Sequence, residues 1–219
     1  MKRQGCSFKL GCRGGKAVFI TFEGIDGSGK TTQLKLLAAW LREQGCDPVT
    51  VREPGGTALG ENIRSLLLSL QEGPTTATAE LLLYAAARAE LVSTVIRPAL
   101  EAGRIVLADR FSDSTWAYQV CGRGLEPKWA KQVLAGAAPG LKPALTLLFD
   151  LEPAMALARS GRGDRLERES IDFFTRVREG YLTLAAKEAQ RIRVIAVNNK
   201  DIRAVQTLIR REVADLLFD

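Results

Sequence analysis

The residues from Gly24 to Thr31 have the types and the spacing needed to hold a chain of phosphate groups. They read Gly-Ile-Asp-Gly-Ser-Gly-Lys-Thr, and they follow an apolar run and open a helical pattern, as a phosphate-binding loop does. Glycines let backbone N–H groups close around phosphate oxygens, while a lysine supplies an ammonium and a threonine hydroxyl can bind magnesium. The sequence therefore predicts a nucleoside triphosphate site. Its members are Gly24, Ile25, Asp26, Gly27, Ser28, Gly29, Lys30, Thr31 and Thr32.

Two carboxylates follow apolar, strand-like runs and could hold magnesium. Residues 105–108 lead into Asp109, and residues 145–149 lead into Asp150. Magnesium takes oxygen ligands and is often bound through one or two carboxylates together with substrate phosphates. We favour Asp109, because Arg110 beside it could bind phosphate, and Asp150 remains the alternative.

A third segment, residues 159–168, carries four arginines at three-residue spacing around two glycines. Alone, such a run is usually a solvated, charged turn. Beside a phosphate loop it predicts a lid of about residues 159–170, because guanidinium groups bind phosphate oxygens in a bidentate manner and glycines permit closure.

The elements that would position these residues alternate between strand-like and helical patterns. The strand-like runs are residues 18–23, 49–53, 105–109, 145–150 and 194–197. This alternation predicts an α/β fold, with a five-stranded parallel sheet flanked by helices in three layers, as in P-loop NTPases. Ligands of such sheets bind at the carboxyl ends of the strands, where the polar residues fall.

Helical patterns cover residues 30–44, about 78–102, and a stretch that opens after Asp113. Pro98 is expected to kink the second of these near its end. Apolar residues at helical spacing predict another long helix over residues 173–184, and Asp201 can cap the last one.

The chain of 219 residues, 46% of them apolar, is long enough for one domain with a full core. Five of the six net positive charges lie in residues 1–16, which contain no acid. We therefore predict a basic, disordered extension over residues 1–16, a single domain over residues 17–219, and no nucleic-acid partner.

No apolar run approaches the roughly 18 residues of a membrane span, and no signal-peptide pattern is present. We predict no membrane partner and a cytoplasmic location. The chain has no histidine and no Cys-x-x-Cys pair, which disfavours structural zinc and excludes histidine-dependent triads. Phosphoryl transfer remains compatible, because it needs positioning and charge neutralisation more than a protein base.

Residues 109–119, Asp-Arg-Phe-Ser-Asp-Ser-Thr-Trp-Ala-Tyr-Gln, resemble the signature Asp-Arg-aromatic-x-x-Ser-x-x-Ala-aromatic-Gln of the thymidylate kinase family. Residues 52–57, 81–88, 122–124 and 164–167 match further family segments, and the resemblance covers residues 17–218. It implies phosphorylation of dTMP to dTDP by ATP with Mg²⁺, through in-line attack, in a homodimer.

The resemblance also implies roles for individual residues. By this resemblance, Tyr84 would stack on the base and Glu53-Pro54 would be a cis peptide. Arg88 and Arg110 would hold the 5′-phosphate. Asp26 should point at the deoxyribose or at magnesium. The implied dTMP-binding residues are Asp26, Glu53, Pro54, Arg64, Tyr84, Arg88, Arg110, Ser114, Thr115, Tyr118 and Gln119.

Because the phosphate loop contains no arginine, the chain resembles bacterial members of the family, whose catalytic arginine comes from the lid. Arg162 or Arg165 is expected in that role, and Arg159 is expected at ATP. The implied catalytic residues are Lys30, Arg110, Arg162, Arg165 and Asp26. The expected metal ligands are Thr31 and Asp109.

Two other classes of protein remain open. Another nucleoside monophosphate kinase or a deoxynucleoside kinase would share the loop and an arginine-rich lid. A regulatory nucleotide switch is disfavoured, because guanine-specific GTPases need Asn-Lys-x-Asp and residues 199–201 read Asn-Lys-Asp.

Overall fold

The structure is a computed structural model, and it describes residues 17–69, 75–159, 165–166 and 168–218. The predicted extension and part of the predicted lid, including Arg162, lie outside the described residues.

Five parallel strands form one sheet in the order β2-β3-β1-β4-β5. The strands are β1 Val18–Glu23, β2 Val49–Arg52, β3 Ile105–Asp109, β4 Leu145–Asp150 and β5 Ile192–Ala196. In this register Phe22 of β1 lies beside Asp109 of β3, and Asp109 lies beside Arg52 of β2. The carboxyl ends of these three strands therefore meet at one edge of the sheet. The predicted fold is confirmed.

The helices pack on both faces of the sheet. They are α1 Lys30–Glu43, α2 Ala58–Leu68, α3 Ala77–Leu91, α4 Arg97–Glu101, α5 Ser112–Thr115, α6 Pro127–Ala137, α7 Pro153–Arg159, α8 Ile171–Lys187 and α9 Ile202–Phe218. Two π-helical stretches, Val92–Ile96 and Trp116–Gly122, continue α3 and α5 respectively. No helix in the described part of the chain is both long enough and apolar enough to cross a membrane.

The helix predicted over residues 78–102 is interrupted where the proline requires it. Pro98 lies in the first turn of α4, and the five residues before α4 form the π-helical stretch. Proline has no N–H to donate to the carbonyl four residues earlier, and a widened turn accommodates that loss.

Two apolar clusters enclose the sheet and explain its three layers. One contains Phe22, Leu37 and Val177 with their neighbours from β1, α1 and α8. The other contains Phe19 and Ile96, on the face covered by α3 and α4. β1 is buried at all six positions, as expected for a strand of a parallel sheet that helices cover on both faces.

Candidate active site

The phosphate loop joins β1 to α1, and two of its glycines, Gly24 and Gly27, stand where a side chain would collide with backbone. A Cβ on Gly24 would lie 2.5 Å from the carbonyl oxygen of Phe149, and a Cβ on Gly27 would lie 2.8 Å from that of Ala156. Both glycines have positive φ, 134° and 78°. Only glycine meets both conditions without strain, so the chain folds tightly around the N-terminus of α1.

Lys30 is buried at the start of α1 and points back into the loop. Its Nζ donates to the carbonyl oxygen of Ile25 at 2.8 Å and lies 3.9 Å from a carboxylate oxygen of Asp26. Burial, and next the charge of Arg110, lower the pKa of Lys30 to about 8. An anion at the loop would favour the charged ammonium.

Thr31 and Asp109 form a pair of oxygen groups beside the loop. The Thr31 hydroxyl donates to the carboxylate of Asp109, at the end of β3. Asp150 is engaged elsewhere, because Arg178 binds it through Nε at 2.6 Å and Nη2 at 3.1 Å. Hydroxyl and carboxylate oxygens suit Mg²⁺, so the geometry favours Asp109 over Asp150 as a ligand. Within the described residues, no cluster of three or more His, Cys, Asp or Glu side chains could hold a metal.

The site consists of a large cleft and a smaller cavity that share one boundary. The cleft has an empty volume of about 1700 Å³ and is lined by the loop, Asp109 and Arg159. The cavity has an empty volume of about 530 Å³. Four charged residues line both spaces: Asp26, Glu53, Arg64 and Arg110.

Arg110 and Asp26 form an ion pair at this boundary. Nη2 of Arg110 lies 2.6 Å from Oδ1 of Asp26, and Nη1 donates to the Ser114 hydroxyl at 3.1 Å. Burial alone would raise the pKa of Asp26, but the charges of Arg110 and Lys30 lower it to about 2. The Asp26 carboxylate, expected to meet sugar or magnesium, thus contacts an arginine that also faces the cavity.

A second, deeper ion pair joins Arg88 and Glu53. Arg88 donates to Oε2 of Glu53 from Nε at 2.8 Å and from Nη2 at 2.6 Å, and to the Thr115 hydroxyl at 2.9 Å. Burial raises the pKa of Glu53, although Arg88 opposes the change. Nη1 of Arg88 is buried without a hydrogen-bond partner among the described residues. Arg88 lines the cavity and not the cleft.

The cavity gathers the residues that the family resemblance assigned to dTMP. All of Asp26, Glu53, Pro54, Arg64, Tyr84, Arg88, Arg110, Ser114, Thr115, Tyr118 and Gln119 line it. Arg64 also donates to the carbonyl oxygen of Pro54 at 3.2 Å, and Glu53-Pro54 is a cis peptide.

The predicted lid arginines lie in different places. Arg159 ends α7 and lines the cleft, and its Cβ would lie 3.4 Å from a Cβ on Gly27. The predicted catalytic role of Arg165 requires that its side chain reach the phosphate loop, but in this structure it does not. Instead its Nη2 lies 2.6 Å from Glu80 and its Nε donates to the carbonyl oxygen of Leu67 at 3.0 Å. Arg165 is thus bound to a buried carboxylate and a backbone carbonyl, neither of which belongs to the phosphate loop.

Sequence reasoning missed two buried acids at this site, Glu23 and Glu80. Glu23 accepts hydrogen bonds from the Phe111 N–H at 2.7 Å, from the Tyr181 hydroxyl at 3.0 Å and from the Ser114 hydroxyl. Burial, and next the charge of Asp113, raise the pKa of Glu23 to about 7. An acid ending an apolar strand was a signal that could have been found. Glu80 gave none, because acids are common in the first turn of any helix.

The chain is similar to known proteins over most of its length. The family model "Thymidylate kinase" matches residues 22–209. A thymidylate kinase of Pelotomaculum thermopropionicum is 53% identical over 184 residues, covering 82% of this chain and 85% of that protein. One of Symbiobacterium thermophilum is 46% identical over 203 residues, covering 92% and 94%. The crystal structure of thymidylate kinase from Ehrlichia chaffeensis superposes with a TM-score of 0.75 at 35% identity, covering 90% of this chain and 98% of that one.

Proposed function

Because the chain belongs to the thymidylate kinase family, we propose that its cleft takes ATP and its cavity takes dTMP. The protein is a nucleoside monophosphate kinase that phosphorylates dTMP to dTDP with ATP. The assignment of the two spaces rests on the boundary between the cleft and the cavity. Arg110 and Asp26 lie there and line both spaces. Donor and acceptor phosphates can meet only at such a boundary.

The donor end uses the phosphate loop. The amides of the loop and the ammonium of Lys30 bind the β- and γ-phosphates. Thr31 and Asp109 would hold Mg²⁺, which when bound neutralises charge on the donor phosphates. Arg159, at the edge of the cleft next to Gly27, is placed to neutralise the transferring group.

The acceptor phosphate lies at the boundary, between the guanidinium groups of Arg110 and Arg64. Its attacking oxygen needs no protein base, because phosphate monoesters are largely ionised at neutral pH. The protein aligns two anions and neutralises the charge between them, which is the main source of catalysis in phosphoryl transfer.

The thymine base lies deeper in the cavity. Tyr84, Arg88 and Gln119 line the cavity without lining the cleft, so they are placed to meet the base. This revises the role that the resemblance implied for Arg88, which we now assign to the base and not to the 5′-phosphate. Tyr84 provides an aromatic face, while Arg88, Thr115 and Gln119 provide polar groups for the base edge.

The experiment is a panel of acceptors with ATP: dTMP, dUMP, dCMP, AMP and thymidine. We expect the highest kcat/KM for dTMP. A preference for thymidine would instead assign the chain to the deoxynucleoside kinases. The Lys30→Ala variant, assayed in parallel, shows whether each activity belongs to this site.

We also propose that the protein works as a homodimer. Helices α2 and α3 pack against each other and expose three leucines, Leu59, Leu66 and Leu82, which a second copy could cover. Sedimentation equilibrium tests this, since a monomer at micromolar concentration would contradict it. The cytoplasmic location and the absence of nucleic-acid and membrane partners stay predictions.

A further inference from the structure

Glu80 is a buried carboxylate that joins three segments around the cavity. It lies in the first turn of α3, and none of its side chain is exposed. Its oxygens accept hydrogen bonds from Nε2 of Gln119 at 2.8 Å, from Nη2 of Arg165 at 2.6 Å and from Nε of Arg123 at 3.2 Å. Helix α3, the π-helical stretch 116–122 and the segment at residues 165–166 therefore converge on one side chain.

The surroundings of Glu80 keep it ionised. Burial alone would raise its pKa, but the hydrogen bonds from Arg165 and Gln119 and the charge of Arg123 lower it below the usual value. An ionised carboxylate can only accept hydrogen bonds. Glu80 is therefore an acceptor at neutral pH, and each group that faces it must be a donor.

This requirement fixes the side-chain amide of Gln119. An amide has a donor end and an acceptor end, which differ little in shape. Because the NH₂ end must face Glu80, the carbonyl end is left for the cavity, which Gln119 lines while being only 2% exposed. A base in the cavity then meets an acceptor at this point.

We propose that Glu80 is a specificity-determining positioning residue, which selects pyrimidines with a protonated N3 by orienting the Gln119 amide. Thymine and uracil carry an N–H at N3 and satisfy the carbonyl of Gln119. Cytosine has an unprotonated N3 and would place one acceptor against another. The inference rests on the proposed function for the placement of the base. A buried polar group left unpaired is a strong source of discrimination.

Glu80→Gln tests the proposal, because it keeps the size of the side chain and removes its charge. The Gln119 amide can then bond position 80 in either orientation. We expect the ratio of kcat/KM for dTMP to that for dCMP to fall by about tenfold or more, with KM for ATP unchanged. Glu188→Gln is the matched control, since Glu188 also binds two cations, Lys142 and Arg191, and lines neither space. It should keep the wild-type ratio.

An unchanged dTMP to dCMP ratio in a folded Glu80→Gln protein would overturn the proposal and leave Glu80 as a structural ion-pair partner. If Glu80→Gln does not fold, Glu80→Asp carries the test. Aspartate keeps the charge but withdraws the carboxylate from Gln119 by one methylene. The ratio should then fall by about threefold or more, and a wild-type ratio overturns the proposal equally. Activity of the wild-type protein distinguishes failure of the proposed function from failure of the Glu80 proposal. A wild-type protein without dTMP kinase activity contradicts the proposed function, whatever the variants do.

Discussion

The guanidinium of Arg110 lies 2.6 Å from the carboxylate of Asp26, and this contact ties the phosphate loop to the segment that follows β3. Arg110 has a φ of 73°, a left-handed conformation that is uncommon for a non-glycine residue. Its N–H donates to the carbonyl oxygen of Phe22 at 3.0 Å, so β1 holds the bend in place. The phosphate loop and the segment after β3 are thus fixed relative to each other by one ion pair and one backbone hydrogen bond.

Lys30→Ala should lower kcat by at least about a hundredfold, because it removes the ammonium that neutralises donor phosphate in the transition state. The fold should persist, since the Lys30 ammonium makes its hydrogen bond to a loop carbonyl, that of Ile25. Steady-state kinetics with saturating dTMP and a thermal melt would check both statements. Near-normal turnover would remove the loop from the mechanism.

Asp109→Asn should raise the Mg²⁺ concentration needed for half-maximal activity by about tenfold. Asp150→Asn is the comparison, because Asp150 ends β4, on the other side of β1, and is bound to Arg178. Its Mg²⁺ dependence should match that of the wild type. Magnesium titrations of both variants decide which acid is the ligand, and the opposite order would revive Asp150.

Arg88→Met should destabilise the protein by about 3 to 5 kcal/mol, because it leaves the buried carboxylate of Glu53 without its ion-pair partner. It should also raise KM for dTMP more than KM for ATP, because Arg88 lines only the cavity. Urea unfolding and two-substrate kinetics measure these effects.

Arg104→Met is the control for this stability prediction. Arg104 pairs with Asp47 at 2.5 Å, but the two side chains are 41% and 76% exposed. Removing an exposed pair costs at most about 1 kcal/mol. Equal losses in the two variants would mean that the burial of Arg88 adds nothing.

Arg159→Met should reduce kcat by about a hundredfold, because Arg159 lies beside the phosphate loop where charge develops. Arg165→Met should act mainly on KM for dTMP, because Arg165 binds Glu80, which in turn binds Gln119 in the lining of the cavity. Separate kcat and KM values for both variants check this division. A large fall in kcat for Arg165→Met at unchanged KM would restore its predicted catalytic role.

The contrast between Lys30 and Arg165 shows which parts of the site could be predicted from the sequence. The phosphate loop is local, because its spacing, its glycines and the adjoining strand and helix all lie within about 30 residues. Strand ends were equally accessible, since an apolar run followed by Asp109 and Arg110 places both residues at the carboxyl edge of a parallel sheet.

Arg165 and Glu80 are 85 residues apart, and nothing near either residue indicates their contact. The tertiary fold alone decides whether an arginine in a charged segment meets phosphate or a buried acid. The same holds for Gln119, whose amide orientation depends on a partner from another helix. Local sequence patterns and residue spacing could not predict such polar contacts between residues far apart in the chain.

Glu23→Gln should change how stability depends on pH, because burial raises the pKa of Glu23 from its usual 4.5 to about 7. Between these two values the folded protein keeps a proton that the unfolded chain has released. Raising the pH through this range therefore favours unfolding. Glutamine cannot ionise, so between pH 5 and pH 8 the stability of the variant should improve relative to wild type by up to about 3 kcal/mol. Urea unfolding of both proteins at the two pH values measures this change.

Glu188→Gln is the control for this prediction. Its difference in stability from wild type should stay constant between the two pH values, because Lys142 and Arg191 overcome the effect of burial and hold the pKa of Glu188 below 4.5. Parallel stability curves for wild type and Glu23→Gln would show that Glu23 is already ionised in the folded protein at pH 5.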